Sequence, residues 1–269
     1  MNKKSIDSRE SKMVKKNPES REAQVQELRE RGFVVAKGFV DETCLHSLLI
    51  ASQRELVAAR YPLEFEADLR YPGAPESKSA PGGGTVRRLL DAYSRDLLYA
   101  RLATSSDIRN WMEMYFGETP YLSLAHHNCI MTKHPAFGSK TGWHRDSRYW
   151  SFERDDLVSV WVALGQESAE NGGLWFVPES HRLMLASNQL DDARFFRADL
   201  PENDQELRRA VAPELEPGDV VFFHCNTLHS AGRNHSKQVK LSLVYTYRGQ
   251  SNVAMLGTRS CSKPEVALN

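Results

Sequence analysis

The sequence predicts a mainly β protein with flanking helices, a strand-rich sandwich or barrel core behind an N-terminal helical buttress. Three observations carry this. Capped helical patterns are concentrated before about residue 118, and short strands separated by turn residues fill about 120 to 248. No internal repeat and no linker beyond residue 90 divides the chain. At 269 residues it is long for one average domain, but β sandwiches and barrels often run to roughly 200–250 residues as one unit.

Residues 1–16 are polar and nearly without large apolar groups, so they are expected to form a disordered tail. Asp7, Glu10 and Glu19 argue against a transit peptide. One domain is expected over 17–262, helical to about 118 and β-rich over about 119–250, with a short C-terminal tail at 263–269. Asn17-Pro18 reads as a helix start, and that helix runs through Val25 and Leu28 to Arg31, with Gly32 placed to end it. Phe33 to Ala36 reads as a strand. Asp41 caps a second helix whose Leu45, Leu48, Leu49 and Leu56 form one stripe. Residues 61–84 hold four prolines and the Gly82-Gly83-Gly84 triplet, the mark of a long irregular loop. No Lys-Ser/Thr follows the glycines, which excludes a phosphate-binding loop. Ser106 is read as the cap of a helix carrying Ile108, Trp111, Met112 and Tyr115, closed by Gly117.

Thirty-five basic and thirty-five acidic side chains give a net charge of zero, so charge supplies no argument for nucleic acid or an anionic membrane. No apolar run approaches the ~20 residues that cross a bilayer, and the N-terminal stretch lacks a signal-like apolar core. Cys44, Cys129, Cys225 and Cys261 are scattered and read as reduced thiols. The expectation is a cytoplasmic protein acting on a small molecule, without nucleic-acid or membrane partners.

The chemistry is concentrated at Gly142-Trp143-His144-Arg145-Asp146. His144 and Asp146 stand two apart, so on an extended strand they share one face. A histidine from a later strand would complete a two-His-one-carboxylate set. Non-haem Fe(II) oxygenases use that open triad to bind a chelating co-substrate and O2, although zinc accepts the same ligands. A bare H-x-D is common by chance, and a lone histidine is more often a surface or core residue than a ligand. His224, His229 and His235 compete for the third position. Pro217-Gly218-Asp219 is a turn that launches Val220 to His224 as a strand, with His229 just past it.

The surrounding motifs occur in a fixed order. After Gly142 through Ser147 come Val158 to Leu164, then Glu170-Asn171-Gly172-Gly173-Leu174 with Val177 to Arg182. Pro217 to Phe223 follows, and then His229 with Asn234 and Ser236. Together they resemble the phytanoyl-CoA dioxygenase family of Fe(II)/2-oxoglutarate oxygenases from about residue 24 to about 250. Each motif is loose alone, and the combination is specific. The resemblance implies a double-stranded β-helix core, a jelly roll of cupin type, and Fe(II), 2-oxoglutarate and O2 as cofactor and co-substrates. The implied reaction is hydroxylation of a C–H bond in a small organic substrate, with formation of succinate and CO2. Halogenating relatives replace the carboxylate at the Asp146 position, so its presence implies hydroxylation.

The resemblance also implies site residues. His144, Asp146 and His229 are the expected metal ligands and catalytic set, because the family's Asn and Ser, five and seven residues after the distal histidine, fit only His229. His224 is then structural. The family's arginine for the distal co-substrate carboxylate falls on Lys240, with Ser242 as the hydroxyl two further on. Lysine offers a point charge rather than a bidentate fork, and Arg233 and Arg248 are the other candidate anchors. Asn128 and Lys133 lie on a strand that touches the co-substrate in relatives, although His134 interrupts the family's Lys-Pro pair. Ser159 is a further co-substrate candidate.

Tyr149, Trp150 and Arg87 are candidate substrate contacts, set against core packing for the aromatics and a solvated charge for the arginine. Phe195 and Phe196, with Arg194 and Arg197, lie in a polar insertion that reads as a lid or as packing. Asn171-Gly172-Gly173 reads as a turn, and Ser180 and His181 as structural. Two rival readings stand beside the oxygenase: a non-catalytic metal-binding jelly roll, and a cupin-type metal-dependent hydrolase or isomerase. A working 2-oxoglutarate pocket separates them.

Overall fold

The computed structural model describes residues 20–69 and 71–269. The expected tail over 1–16 and the Asn17-Pro18 helix start lie outside the described residues. Helix α1 (Arg21–Arg31) opens at Ser20, whose hydroxyl accepts the Ala23 amide, and ends at Gly32 with φ +83°. Strand β1 (Phe33–Ala36) and helix α2 (Glu42–Ala58), capped by Asp41, follow as expected. The stretch read as irregular loop is ordered at its start by β2 (Leu63–Phe65) and α3 (Glu66–Leu69), before turns lead to β3 (Val86–Leu90). Helices α4 (Ala92–Arg95), α5 (Leu97–Ala103) and α6 (Ser106–Phe116) come next; Ser105 rather than Ser106 caps α6.

The strand-rich half holds β4 (Pro120–Ser123), β5 (Asn128–Lys133), β6 (Thr141–His144), β7 (Leu157–Ala163) and β8 (Leu174–Phe176). Helix α7 (Pro201–Leu207) precedes β9 (Val220–His224), β10 (His229–Ala231), β11 (Lys240–Gly249) and β12 (Glu265–Ala267). The segment expected as a C-terminal tail is therefore anchored, since β12 pairs with β4 and Glu265 ion-pairs with Arg248. A nine-stranded antiparallel sheet runs β1-β9-β7-β11-β5-β3-β2, with β4 paired to β11 and β12. A three-stranded sheet runs β6-β10-β8.

Period-two alternation explains how the large sheet uses both faces. Val158, Val160, Val162, Phe222, Leu243 and Tyr245 point to the helical layer and join its core. Trp111 of α6 stacks on Phe222 at 3.8 Å, and the Tyr245 and Tyr247 hydroxyls donate to the Tyr99 and Ala103 carbonyls of α5. The opposite parity, with Trp161, Ala163, Val221, Phe223 and Val244, packs against Leu174 and Phe176 of the small sheet. Both faces are covered, which is why β7 and β11 read as almost unbroken buried runs. Two antiparallel sheets facing one another around an internal site form the double-stranded β-helix, or jelly roll.

Candidate metal centre and co-substrate cavity

His229 on β10 sits directly opposite His144, the last residue of β6, and Asp146 follows two residues later at the start of a short 3-10 turn. One ligand atom from each residue lies within 4.8 Å of the others. His144 Nε2 is 3.8 Å and His229 Nε2 3.6 Å from Asp146 Oδ1. Each imidazole is oriented by its other nitrogen: Nδ1 of His144 donates to the Gly142 carbonyl at 2.9 Å, and Nδ1 of His229 to the Thr227 carbonyl at 3.0 Å. That tautomer leaves both Nε2 lone pairs for a metal. Burial, then the neighbouring His229, lowers the His144 pKa well below its ordinary value, so the ring is neutral, as a ligand must be.

Asp146 is fully buried, and its Oδ1 has no hydrogen-bond partner. An orphaned carboxylate oxygen facing two imidazole nitrogens is a costly arrangement unless a cation completes it. The donor set therefore fits a divalent ion such as Fe(II), with imidazole and carboxylate ligands. Ser159 donates to Asp146 Oδ2 at 2.9 Å. Burial pushes the Asp146 carboxyl up, but His127, His229, His144 and the Ser159 hydroxyl more than offset this and hold it below its ordinary range.

The triad opens into a cavity whose empty space, open solvent at the mouth included, is about 760 Å³. Trp161, Leu174, Phe223 and Val244 give it apolar walls, and Arg87, Arg88, Lys133 and Lys240 bring four cations to it. Lys240 donates to Glu167 at 2.9 Å and to Ser242 at 3.0 Å, and Ser242 donates to Glu167 at 2.5 Å. Arg87 is buried against Glu66, Ser139 and Thr141 rather than solvated. Tyr149 lines the cavity, 3.3 Å from the Tyr71 hydroxyl. A second cavity shares Arg88, His127 and Tyr149 with the first, and Trp150, His126 and Arg259 complete much of its lining.

Three expectations are corrected. Asn128 has the wrong parity on β5: Cys129, Met131 and Lys133 face inward, whereas Asn128 turns to the helices and accepts the Tyr93 amide at 2.8 Å. Ser159 serves the carboxylate ligand and does not line the cavity. Neither alternative anchor reaches the site, since Arg233 donates to the Ala136 carbonyl and Arg248 ion-pairs with Glu265. His224, His181 and Ser180 are structural as expected: His224 Nδ1 accepts the Asn226 amide, His181 Nε2 approaches the Arg29 carbonyl, and the Ser180 hydroxyl accepts the Leu228 amide. Asn234 donates to the Lys133 carbonyl and accepts from Ser236, so this motif clamps the end of β5. From the insertion, Phe195 comes within 5.7 Å of the His144 ring, and Arg148 stacks on Phe195.

Two residues went unnoticed in the sequence. His127 Nδ1 approaches Asp146 Oδ2 at 3.4 Å, and it lies on the parity of Cys129, Met131 and Lys133, which could have revealed it. Glu167 left no local signal.

The chain matches the phytanoyl-CoA dioxygenase (PhyH) family over residues 28–242. It is 24% identical to an ectoine dioxygenase of Sphingopyxis alaskensis over 64% of this chain and 60% of that protein. It is 25% identical to the peroxisomal phytanoyl-CoA dioxygenase of Homo sapiens over 77% of this chain and 62% of that protein. The matched region thus spans about three-fifths of the length of these relatives. Among solved structures, the epimerase SnoN, crystallised with Fe3+, alpha ketoglutarate and nogalamycin RO, has the same fold. Its TM-score is 0.69 at 24% identity, covering 87% of this chain and 85% of that one. Most of the chain lies inside the family match, and it belongs to the phytanoyl-CoA dioxygenase (PhyH) family.

Proposed function

We propose that this chain is an Fe(II)- and 2-oxoglutarate-dependent dioxygenase that hydroxylates a C–H bond of a small organic substrate. The observation that carries the reading is the buried His144–Asp146–His229 set, with both Nε2 atoms and an unpartnered carboxylate oxygen turned to one point. Family membership and the cavity beside the triad support it. Iron bound there would supply O2 activation coupled to decarboxylation of 2-oxoglutarate to succinate and CO2.

The protein's own residues bind, orient and shield. The Gly142 and Thr227 carbonyls fix the two imidazoles, Ser159 fixes the carboxylate, and the apolar walls exclude water. Substrate would occupy the second cavity, where Trp150, Tyr149 and His126 offer ring faces and Arg259 offers positive charge, Arg88 being ion-paired there with Glu64. That lining suits a compact molecule bearing an anionic group.

Anaerobic titration of 2-oxoglutarate into the Fe(II)-loaded protein tests the reading through the visible charge-transfer band of a chelated 2-oxo acid. The expected result is a saturable band that is lost in Asp146→Ala. Fe(II) binding with no band would overturn it and leave a metal-binding jelly roll.

A further inference from the structure

The four cations of the metal cavity are not equally free. Arg87 faces Glu66, Arg88 faces Glu64, and Lys240 faces Glu167, each within ion-pair distance. The Lys240 pair is the most enclosed, with side-chain exposures of 3% and 0%. Both Glu167 oxygens are saturated. Oε1 accepts from Ser242 and from Trp161 Nε1, and Oε2 from Lys240 and from the same indole, at 2.5 to 3.1 Å. Pulling Lys240 onto a ligand would strand a buried carboxylate, a change the low-dielectric interior opposes strongly.

Lys133 is different. It is the direct cross-strand partner of Lys240, so the two side chains lie on the same face of neighbouring strands. Its ammonium donates to the Ser139 carbonyl at 2.6 Å, and among the described residues no carboxylate lies within ion-pair distance of it. An ammonium has three donors, so two are left for a ligand. The site is built around this side chain. Gly172 leaves room for its stem, since a Cβ there would stand 2.8 Å from Lys133 Cγ, and Asn234 holds the Lys133 carbonyl.

Charge arithmetic points the same way. Asp146 and the proximal carboxylate of a 2-oxo acid together neutralise a divalent ion, leaving the distal carboxylate in need of one cation. Lys133 is that one cation.

We infer that Glu167 is an internal carboxylate that occupies Lys240, and that the distal carboxylate of the co-substrate is bound instead by Lys133. This rests on the 2-oxoglutarate reading above. It moves the co-substrate anchor from β11 to β5 and makes Glu167 a specificity-determining residue.

The test compares anaerobic binding of two probes to the Fe(II)-loaded protein by calorimetry: 2-oxoglutarate, and 2-oxopentanoate, which carries a methyl where the distal carboxylate would be. The affinity ratio isolates the distal contact from chelation and from general effects on folding. Lys133→Met is expected to reduce the ratio by roughly tenfold or more, given the strength of charge-assisted hydrogen bonds. The double variant Lys240→Met/Glu167→Met, which removes the buried pair together, is expected to leave it within about threefold. Glu167→Gln, which releases Lys240, is expected to raise it. A ratio that survives Lys133→Met but collapses in the double variant would overturn the proposal alone. If wild-type protein binds Fe(II) but neither 2-oxo acid, the co-substrate reading falls and takes this one with it.

Discussion

His144 and His229 face each other across the β6–β10 pair with ring centroids 4.2 Å apart, each tethered through Nδ1 to a carbonyl two residues upstream. Sheet register brings them together, and the carbonyls set which nitrogen meets the metal. Loading the protein with Fe(II) or Zn(II) is therefore expected to raise its thermal midpoint. The stabilisation is about 2.7 kcal/mol at a hundredfold excess over Kd. Chelation should remove the shift, and Asp146→Ala should show none by scanning calorimetry.

Ser159 reaches Asp146 from the adjacent sheet. Ser159→Ala is expected to weaken metal binding by about tenfold, the lower end for loss of a residue that orients a ligand. Competition with a chromogenic chelator measures this. The fold should lose only ~1 kcal/mol, the usual value of one hydrogen bond.

The Lys240–Glu167 pair predicts a stability cycle. Glu167→Ala leaves a buried ammonium unpaired and should cost about 3–5 kcal/mol in urea unfolding. Lys240→Met/Glu167→Met should recover most of that loss, because no charge is left stranded.

Lys133 gives a pH dependence. Burial, then Arg87, with a further contribution from Lys240, lowers its pKa to about 7 against the opposing pull of Glu66. The folded pKa lies below the unfolded value, so between about pH 7 and the ordinary lysine range the unfolded chain holds more protons. Stability from this group therefore rises with pH across that window, and below it the cost of burying the charge is fully present. On the 2-oxoglutarate reading, affinity for the co-substrate should fall as pH rises above about 7, and Lys133→Met should flatten both profiles. Calorimetry and urea titrations from pH 6 to 9 check the two signs.

Arg248 offers a negative control. It is held by Glu265 of β12 and by the Gly249 and Gln250 carbonyls, away from the cavity. Arg248→Ala should loosen the C-terminal strand, seen as faster amide exchange over Glu265–Ala267, with 2-oxo acid binding unchanged.

The legible parts of the fold were those with a local period or a local stop. Asp41 as a cap, Gly32 and Gly117 as helix ends, and the pairing of His144 with Asp146 all follow from neighbours in sequence. Parity misled where the inward face was not known. Asn128 and Lys133 share β5, yet they differ by an odd number of positions and fall on opposite faces. The stretch from 61 to 84 looked irregular because prolines and glycines dominate it, while its short ordered start supplies Glu64 and Glu66 to the two arginines.

The sequence by itself determined a strand-rich sandwich or barrel and the shared face of His144 and Asp146, because alternation along a strand is a property of the backbone, while the family resemblance supplied the jelly-roll class, His229 and the candidate cations Lys133 and Lys240. Only the tertiary structure decided which of those cations is free. Glu167 stands 73 residues from Lys240, and whether a buried charge meets a partner depends on register and loop placement, which no local pattern encodes.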